Sequence, residues 1–405
     1  MSNTWIISSN GSRDRLVHAR CKGTELNDLR VLVVGPRPDL VRVLSKRGIA
    51  FDIWREKKGR KVTTAGLDLL MPFPQKPVSI RKALAPFSQR NYSHVIAGTE
   101  NGVHPAAIAR RVFQARRSFA TTALRCRDKL SMKQFLSRFD VPMTRFLPEY
   151  TTLSEQAIFD YLGSPVVKKK RKSSGSRGIA FIDKGSSLDL RPGGRNLLEQ
   201  YIDFPEASIE TFIQHGEIAF TNITQYVTKG QVNFVPACFD ETTVNAIQTL
   251  NKTVVSALKI QWGLTHLEVY LTDKGPIFGE IALRPPGGYI MDALKYAYGF
   301  DPWEAFVAIE LGEPFSFPER ERRYVSVEVF HPGEGTVTQI SGQDTLRNMA
   351  HVKAFKINVG IGDVIQERLG LGQDVGHLIA SSPSPEQRKE DFSKTKAFFR
   401  IQTTR

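Results

Sequence analysis

Cysteine is scarce. Three cysteines in 405 residues, Cys21, Cys126 and Cys238, are isolated and odd in number. That excludes a disulfide framework and fits the reduced thiols of a cytoplasmic protein. No apolar run approaches the ~18 residues that cross a bilayer, and MSNTWIISSNGSRDR has only a two-residue apolar core before charge begins, so no secretory signal is expected. The eight histidines show no metal-ligand spacing, and neither a Walker A loop nor a GxSxG elbow is present. Acidic residues are the minority, 41 against 56 basic, for a formal net charge of +15. With 41% hydrophobic and 24% charged residues the composition is that of a globular chain, which excludes disorder, collagen and coiled-coil arrays. The basic excess leaves three kinds of anionic partner: nucleic acid, a membrane surface or a phosphorylated small ligand.

What is present is first a strand–helix alternation. RVLVVG (30–35) is a β-branched run of the kind a buried parallel strand shows, followed by a turn at Pro36 and Pro38, a helix in DLVRVLSKRG and a second strand, AFDIW. A basic stretch, REKKGRK, separates these from a strand in SHVIAGTE and a helix in GVHPAAIARRVF. The pattern predicts an open parallel α/β domain over 29–120, with 1–28 as an N-terminal extension. From residue 128 the texture becomes antiparallel α+β. An amphipathic helix, DKLSMKQFLSRF, is followed by strands at PVVKK, GIAFID, LLEQYI, ASIETFI, EIAFTNITQYV, THLEVYLT and PIFGEIAL. A helix in TTVNAIQTLNKTVVSALKIQW is expected to end at Gly263. Residues 121–205 and 206–320 thus read as two subdomains, and 321–405 as a β-rich third with a polar, frayed tail from about 381.

Two segments carry chemistry. In PVVKKKRKSSGSRGIAFI (165–182) a strand delivers lysines into Ser173-Ser174-Gly175-Ser176, small residues whose backbone N–H groups approach an anion closely. Strand alternation puts Lys169 on the opposite face from Lys168, so one of the pair reaches the ligand. The competing reading is a nuclear-localisation run, but such a run has no need of flanking apolar strands. In THLEVYLTDKGPIFGEIALRPPGG (265–288) two strands joined at Asp273-Lys274-Gly275 read as a hairpin, and counting out from the turn brings Glu268 and Glu280 to the same side. Facing carboxylates repel unless a cation lies between them, and a divalent ion such as magnesium accepts one or two carboxylates together with substrate phosphates. Arg284 and Gly287-Gly288 follow.

In this order and spacing, RDKLSMKQFL, PVVKKKRKSSGSRGIAFI, LLEQYIDFPEASIETF, GLTHLEVYLT and GEIALRPPGG resemble the ATP-grasp superfamily of ligases over roughly residues 30–380. The resemblance implies an ATP-grasp fold: the open parallel domain, a central lid subdomain and a C-terminal antiparallel α+β domain. It implies ATP with Mg2+ or Mn2+, small-molecule carboxylate and amine substrates, amide formation through an acyl phosphate, and a homodimer. Residue by residue, it places Lys129 and Lys169 on the ATP phosphates under a loop of Ser174, Gly175 and Ser176. Glu199, Gln200, Tyr201 and Ile202 become an adenine hinge and Glu206 the ribose acid. Glu268 and Glu280 become metal ligands, and Arg284 the arginine of the transferred phosphoryl. The family's usual Glu-x-Asn stands here as Glu280-Ile281-Ala282, without the second oxygen side chain. Lys168, Lys170 and Lys172 are expected on the lid exterior. Within the family, the RPPGG run and the helix after it, IMDALKYAYGFDPWEAFVAIELG, resemble free-standing carboxylate–amine ligases, amino-acid (dipeptide) ligases included. The alternatives are a bicarbonate- or formate-activating enzyme and, from another class, a basic nucleic-acid-binding protein, against which the lack of interleaved aromatics argues.

Overall fold

The computed structural model describes residues 29–116, 120–319, 322–370 and 372–404; the expected extension at 1–28, with Cys21, lies outside them. Strands Arg30–Val34, Ala50–Arg55, Asp68–Leu70 and His94–Ala97 form an all-parallel sheet in the order 68–70, 50–55, 30–34, 94–97. Val31, Leu32, Val33 and Val34 are fully buried between helices packed on the sheet, which explains the uninterrupted apolar run.

A second, four-stranded antiparallel sheet of Phe146–Pro148, Asn196–Gln200, Val166–Lys170 and Ile179–Ile182 carries the helix Glu155–Leu162, whose first turn is capped by Ser154. It has its own small core of Ile158, Phe159, Leu162, Val166, Leu188 and Leu198. The third and largest sheet is antiparallel and eight-stranded. It runs in the order Gly275–Leu283, Gly263–Thr272, Glu206–Gln214, Glu217–Thr228, Val232–Val235, Tyr324–Phe330, Gly376–Ser382 and Val352–Ile357.

Three expectations are corrected here. The sheet does not stop at 320: Val232–Val235 pairs directly with Tyr324–Phe330, so residues on both sides of that boundary share one sheet and one core. The long helix, Glu241–Ala257, ends short of Gly263, because Lys259 turns the backbone into the left-handed region at φ 53° and Gly263 already begins the next strand. The tail is not frayed. After Ser382 the chain forms the helix Pro385–Phe398, capped by Ser384, and then the strand Arg400–Thr404, paired with Gly335–Ser341. Among the described residues no helix is long and apolar enough to cross a membrane.

Candidate active site

The hairpin of Gly263–Thr272 and Gly275–Leu283 sets Glu268 opposite Glu280, with a register shift just after Glu268. Gly279 allows that close pairing, since a Cβ there would stand 3.0 Å from the Glu268 carbonyl. Both carboxylates line a cavity of about 350 Å3. Glu280 is met at 2.8 Å by the Nζ of Lys129, from the start of the helix Lys129–Leu136. Asp128 caps that helix through Ser131 N–H and also accepts two hydrogen bonds from Arg171, at 2.9 and 2.7 Å, tying the helix start to the strand that carries the lysines.

Behind Glu268 lies a buried polar cluster. His266 Nδ1 is 2.9 Å from Glu210, its Nε2 is 3.5 Å from Glu268, and Glu210 accepts from Ser208, Asn222 and Thr224. Burial works against a charged ring at His266, but Glu210 and Glu268 outweigh it and carry its pKa to about 9. Burial likewise opposes the Glu268 charge, and the imidazolium overcomes it, holding Glu268 at about 2. A carboxylate ionised at neutral pH with a fixed partner on its far side is suited to a divalent cation on its near side. Glu268 and Glu280 are thus two carboxylates that could hold such an ion, and Ala282 adds no further side-chain oxygen.

Alternation along Val166–Lys170 separates its lysines. Lys169 turns to the cavity and forms an ion pair with Glu199, which also receives Lys133 at 2.8 Å and the Thr144 hydroxyl. At Lys133 burial prevails and lowers the pKa; at Lys169 Glu199 and other acidic neighbours outweigh burial and raise it. Lys168 points the other way but is not on a solvated exterior. It pairs with buried Glu149 at 2.9 Å and donates to the carbonyls of Leu188 and Asp189. Lys170 and Lys172 are exposed, as expected. The loop that follows adopts left-handed backbone at Gly175, Ser176 and Gly178 and covers the cavity with Ser173–Arg177. Lys129 Nζ also donates to the Ser173 carbonyl at 2.9 Å. From this geometry, Lys169→Ala should raise the KM for ATP by about tenfold or more. Lys168→Ala should leave that KM within about threefold and instead lower the melting temperature by stranding Glu149; steady-state kinetics with a thermal melt of each variant separates the two effects.

Eight of the predicted residues thus line one cavity: Lys129, Lys169, Ser174, Gly175, Ser176, Glu268, Glu280 and Arg284. The predicted hinge, Glu199, Gln200, Tyr201 and Ile202, and the predicted ribose acid Glu206 do not line it. Glu199 is wholly buried in its ion pairs, so at that position the side chain supports Lys169. Gln200 ends its strand and accepts from Arg145, exposed Tyr201 packs edge-on to Phe181, and Ile202 follows in irregular backbone. Glu206 is paired to Lys229, which does line the cavity. Arg284 donates through Nε to Glu100 at 2.8 Å and through Nη1 to the Pro285 carbonyl.

Among the lining residues to which the sequence reading gave no role are Arg37, Glu100, Lys229 and His266. His266 carried a usable signal, since period-2 alternation puts it on the face of Glu268. Arg37 arrives from the turn after the strand Arg30–Val34, and Glu100, read from the sequence as the end of the strand SHVIAGTE, lies beyond that strand, which stops at Ala97.

Comparison with known proteins matches two segments of the chain. Residues 126–288 match the family described as ATP-grasp domain, and residues 329–404 the one described as L-amino acid ligase C-terminal domain 2. An L-arginine-specific L-amino acid ligase of Bacillus subtilis is 25% identical over 308 residues, covering 71% of this chain and 74% of its own. Dapdiamide A synthase of Enterobacter agglomerans is 23% identical over 336 residues, covering 74% of this chain and 77% of its own. The crystal structure of an L-amino acid ligase from Bacillus licheniformis superposes with a TM-score of 0.75 at 19% identity, covering 93% of this chain and 99% of that one.

Proposed function

We propose, from the premise that this chain is an ATP-dependent carboxylate–amine ligase of the ATP-grasp superfamily with an L-amino acid ligase C-terminal domain, that its substrates are amino acids and its product a dipeptide or a related amide. The observation that carries this reading is the convergence of Lys129, Lys169, Glu268, Glu280 and Arg284 on one cavity under a glycine–serine loop. With an L-amino acid ligase and dapdiamide A synthase among its sequence relatives, activation of bicarbonate or formate is not favoured.

In the proposed mechanism Lys129 and Lys169 hold ATP phosphate oxygens, the backbone of Gln200, Tyr201 and Ile202 reads the adenine edge, and Glu206 takes the ribose hydroxyls. Glu268 and Glu280 would hold magnesium or manganese, which when bound offsets repulsion between triphosphate and carboxylate. A substrate carboxylate oxygen attacks the γ-phosphorus as the bond to the ADP oxygen breaks. Arg284, oriented by Glu100, neutralises the charge gathering on the transferred phosphoryl. The amine nitrogen of the second substrate then attacks the acyl carbonyl carbon, phosphate leaves with the C–O electron pair, and the nitrogen gives up a proton. Ser173–Arg177 closes over the phosphates and keeps out the water that would hydrolyse the acyl phosphate.

The test is ADP release against a pairwise panel of amino acids, with mass spectrometry of the products. ADP and an amide from at least one pair are expected; turnover that needs bicarbonate or formate and no second substrate refutes the reading.

A further inference from the structure

The catalytic cavity has a neighbour that the proposed chemistry does not use. It measures about 680 Å3 and is bounded by the Gly35–Pro38 turn, by the Arg55–Val62 segment and by Ser174 and Arg177 of the loop over the phosphates. Arg37, Thr99, Glu100, Ser174 and Arg177 line both cavities, so the two are continuous.

The wall at 55–62 is the REKKGRK stretch, and it is held in shape. Arg55 makes a two-pronged ion pair with Asp68, and Asp68 also accepts the backbone N–H of Val62 at 2.9 Å, so one carboxylate with a buried side chain clamps both ends of the segment. Between the clamped ends Lys57, Lys58, Arg60 and Lys61 are exposed along the cavity, and none of the four forms an ion pair among the described residues. The two acids at this wall are already engaged: Glu56 accepts from Asn101, and Glu100 is shared by Arg127 and Arg284. At the junction Arg37 has no carboxylate partner among the described residues. It donates to the Pro286 carbonyl and lies over the Trp303 ring. Burial and then the nearby charge of Arg284 both lower its pKa. Arg37 also stands at the N-terminus of the helix Pro38–Lys46, which has no side-chain cap. Two neighbouring guanidiniums, an uncapped helix start and four basic side chains without ion pairs on a clamped loop outnumber the carboxylate of Glu56 and make the recess net electropositive.

We infer that this recess holds a second anionic group on one of the two small-molecule substrates: the ligase takes an amino acid with an acidic tail, a carboxylate or a phosphate ester, whose reacting end lies at Arg284 and whose tail lies against the 57–61 loop. The inference rests on the proposed function only in calling that molecule a substrate.

The test is calorimetry on the full chain saturated with a non-hydrolysable ATP analogue and magnesium, at fixed ionic strength, titrating O-phosphoserine and glutamate against serine and glutamine. The wild-type chain is expected to bind at least one acidic ligand about tenfold more tightly than its neutral counterpart. The variant Lys57→Ala/Lys58→Ala/Arg60→Ala/Lys61→Ala, which leaves the Arg55–Asp68 clamp intact, is expected to lose that preference while binding the nucleotide analogue unchanged. O-phosphoserine binding more tightly than glutamate assigns the tail as phosphate, and the reverse order as carboxylate. Equal affinity for acidic and neutral ligands, an unchanged preference in the variant, or a loop that only an oligonucleotide titrates would overturn the inference. If the acidic preference is present but no pair of amino acids releases ADP, the proposed function fails and the anion recess stands; ADP release from neutral pairs alone, without acidic preference, does the opposite.

Discussion

Replacing Glu280 by alanine should reduce ADP formation by about a thousandfold while the protein melts within a few degrees of wild type. The fold does not need this carboxylate. The strand Gly275–Leu283 is held to its neighbour by backbone pairing, Phe278 and Ile281 beside Glu280 are buried in the core, and the Glu280 side chain itself reaches the cavity. Lys129, which meets Glu280, keeps its bond to the Ser173 carbonyl. What the substitution removes is one of the two carboxylates that can bind a divalent cation, so the loss should fall on turnover and on the metal concentration required, both read from ADP release over a magnesium titration. Glu280→Asp, which retains the charge on a shorter arm, should lie between the two. Near-wild-type turnover of the alanine variant would sink the assignment of Glu280.

The second large effect is one of stability. Glu199→Gln should cost about 3–5 kcal/mol, since removing one partner of a buried ion pair leaves its counter-charges uncompensated. Here two ammoniums are stranded, those of Lys133 and Lys169, together with the Thr144 hydroxyl. A fall in Tm of roughly 5 °C or more is the corresponding observation. The pH dependence has a definite sign. Burial disfavours the Glu199 charge, but the two lysines overcome it and depress its pKa from 4.5 to about 2. A depressed carboxylate contributes fully above its unfolded value of 4.5 and loses that contribution as pH falls through the interval down to about 2. Wild type should therefore lose stability over that interval more steeply than Glu199→Gln, as urea unfolding at a series of acid pH values would show. A variant as stable as wild type at pH 7 would mean that the two lysines find other partners.

How far the site was legible in the sequence depends on how local each geometry is. The opposition of Glu268 and Glu280 could be counted because a short turn fixes the hairpin register, and the split between Lys168 and Lys169 because strand alternation is strict. The role of Glu199 could not be counted. Its partners Thr144 and Lys133 come from a different strand entry and from a helix, and only tertiary packing brings them to it. The helix Pro385–Phe398 was missed for a different reason. Its inward face is polar: Arg388 donates to the Pro236 carbonyl and lies over Phe234, and Asp391 accepts from Ser382. A helix docked by hydrogen bonds and a cation–π contact leaves no apolar stripe to read, although Ser384 and Pro385 did mark its start. Val232–Val235 was overlooked because four residues are too few to show a period.

The eight-stranded sheet decides where related ligases can exchange parts. A chimera joined between 319 and 322 would separate Val232–Val235 from Tyr324–Phe330 and expose an edge on which all four residues are normally buried, a template for aggregation. The unit formed by Phe146–Pro148 through Asn196–Gln200 has its own sheet and its own core, but its Glu199 pairs with Lys133 and its Arg171 with Asp128, both outside it. That unit can therefore be grafted only together with the helix Lys129–Leu136 and its Asp128 cap, whereas the C-terminal strands must travel with the hairpin that carries Glu268 and Glu280.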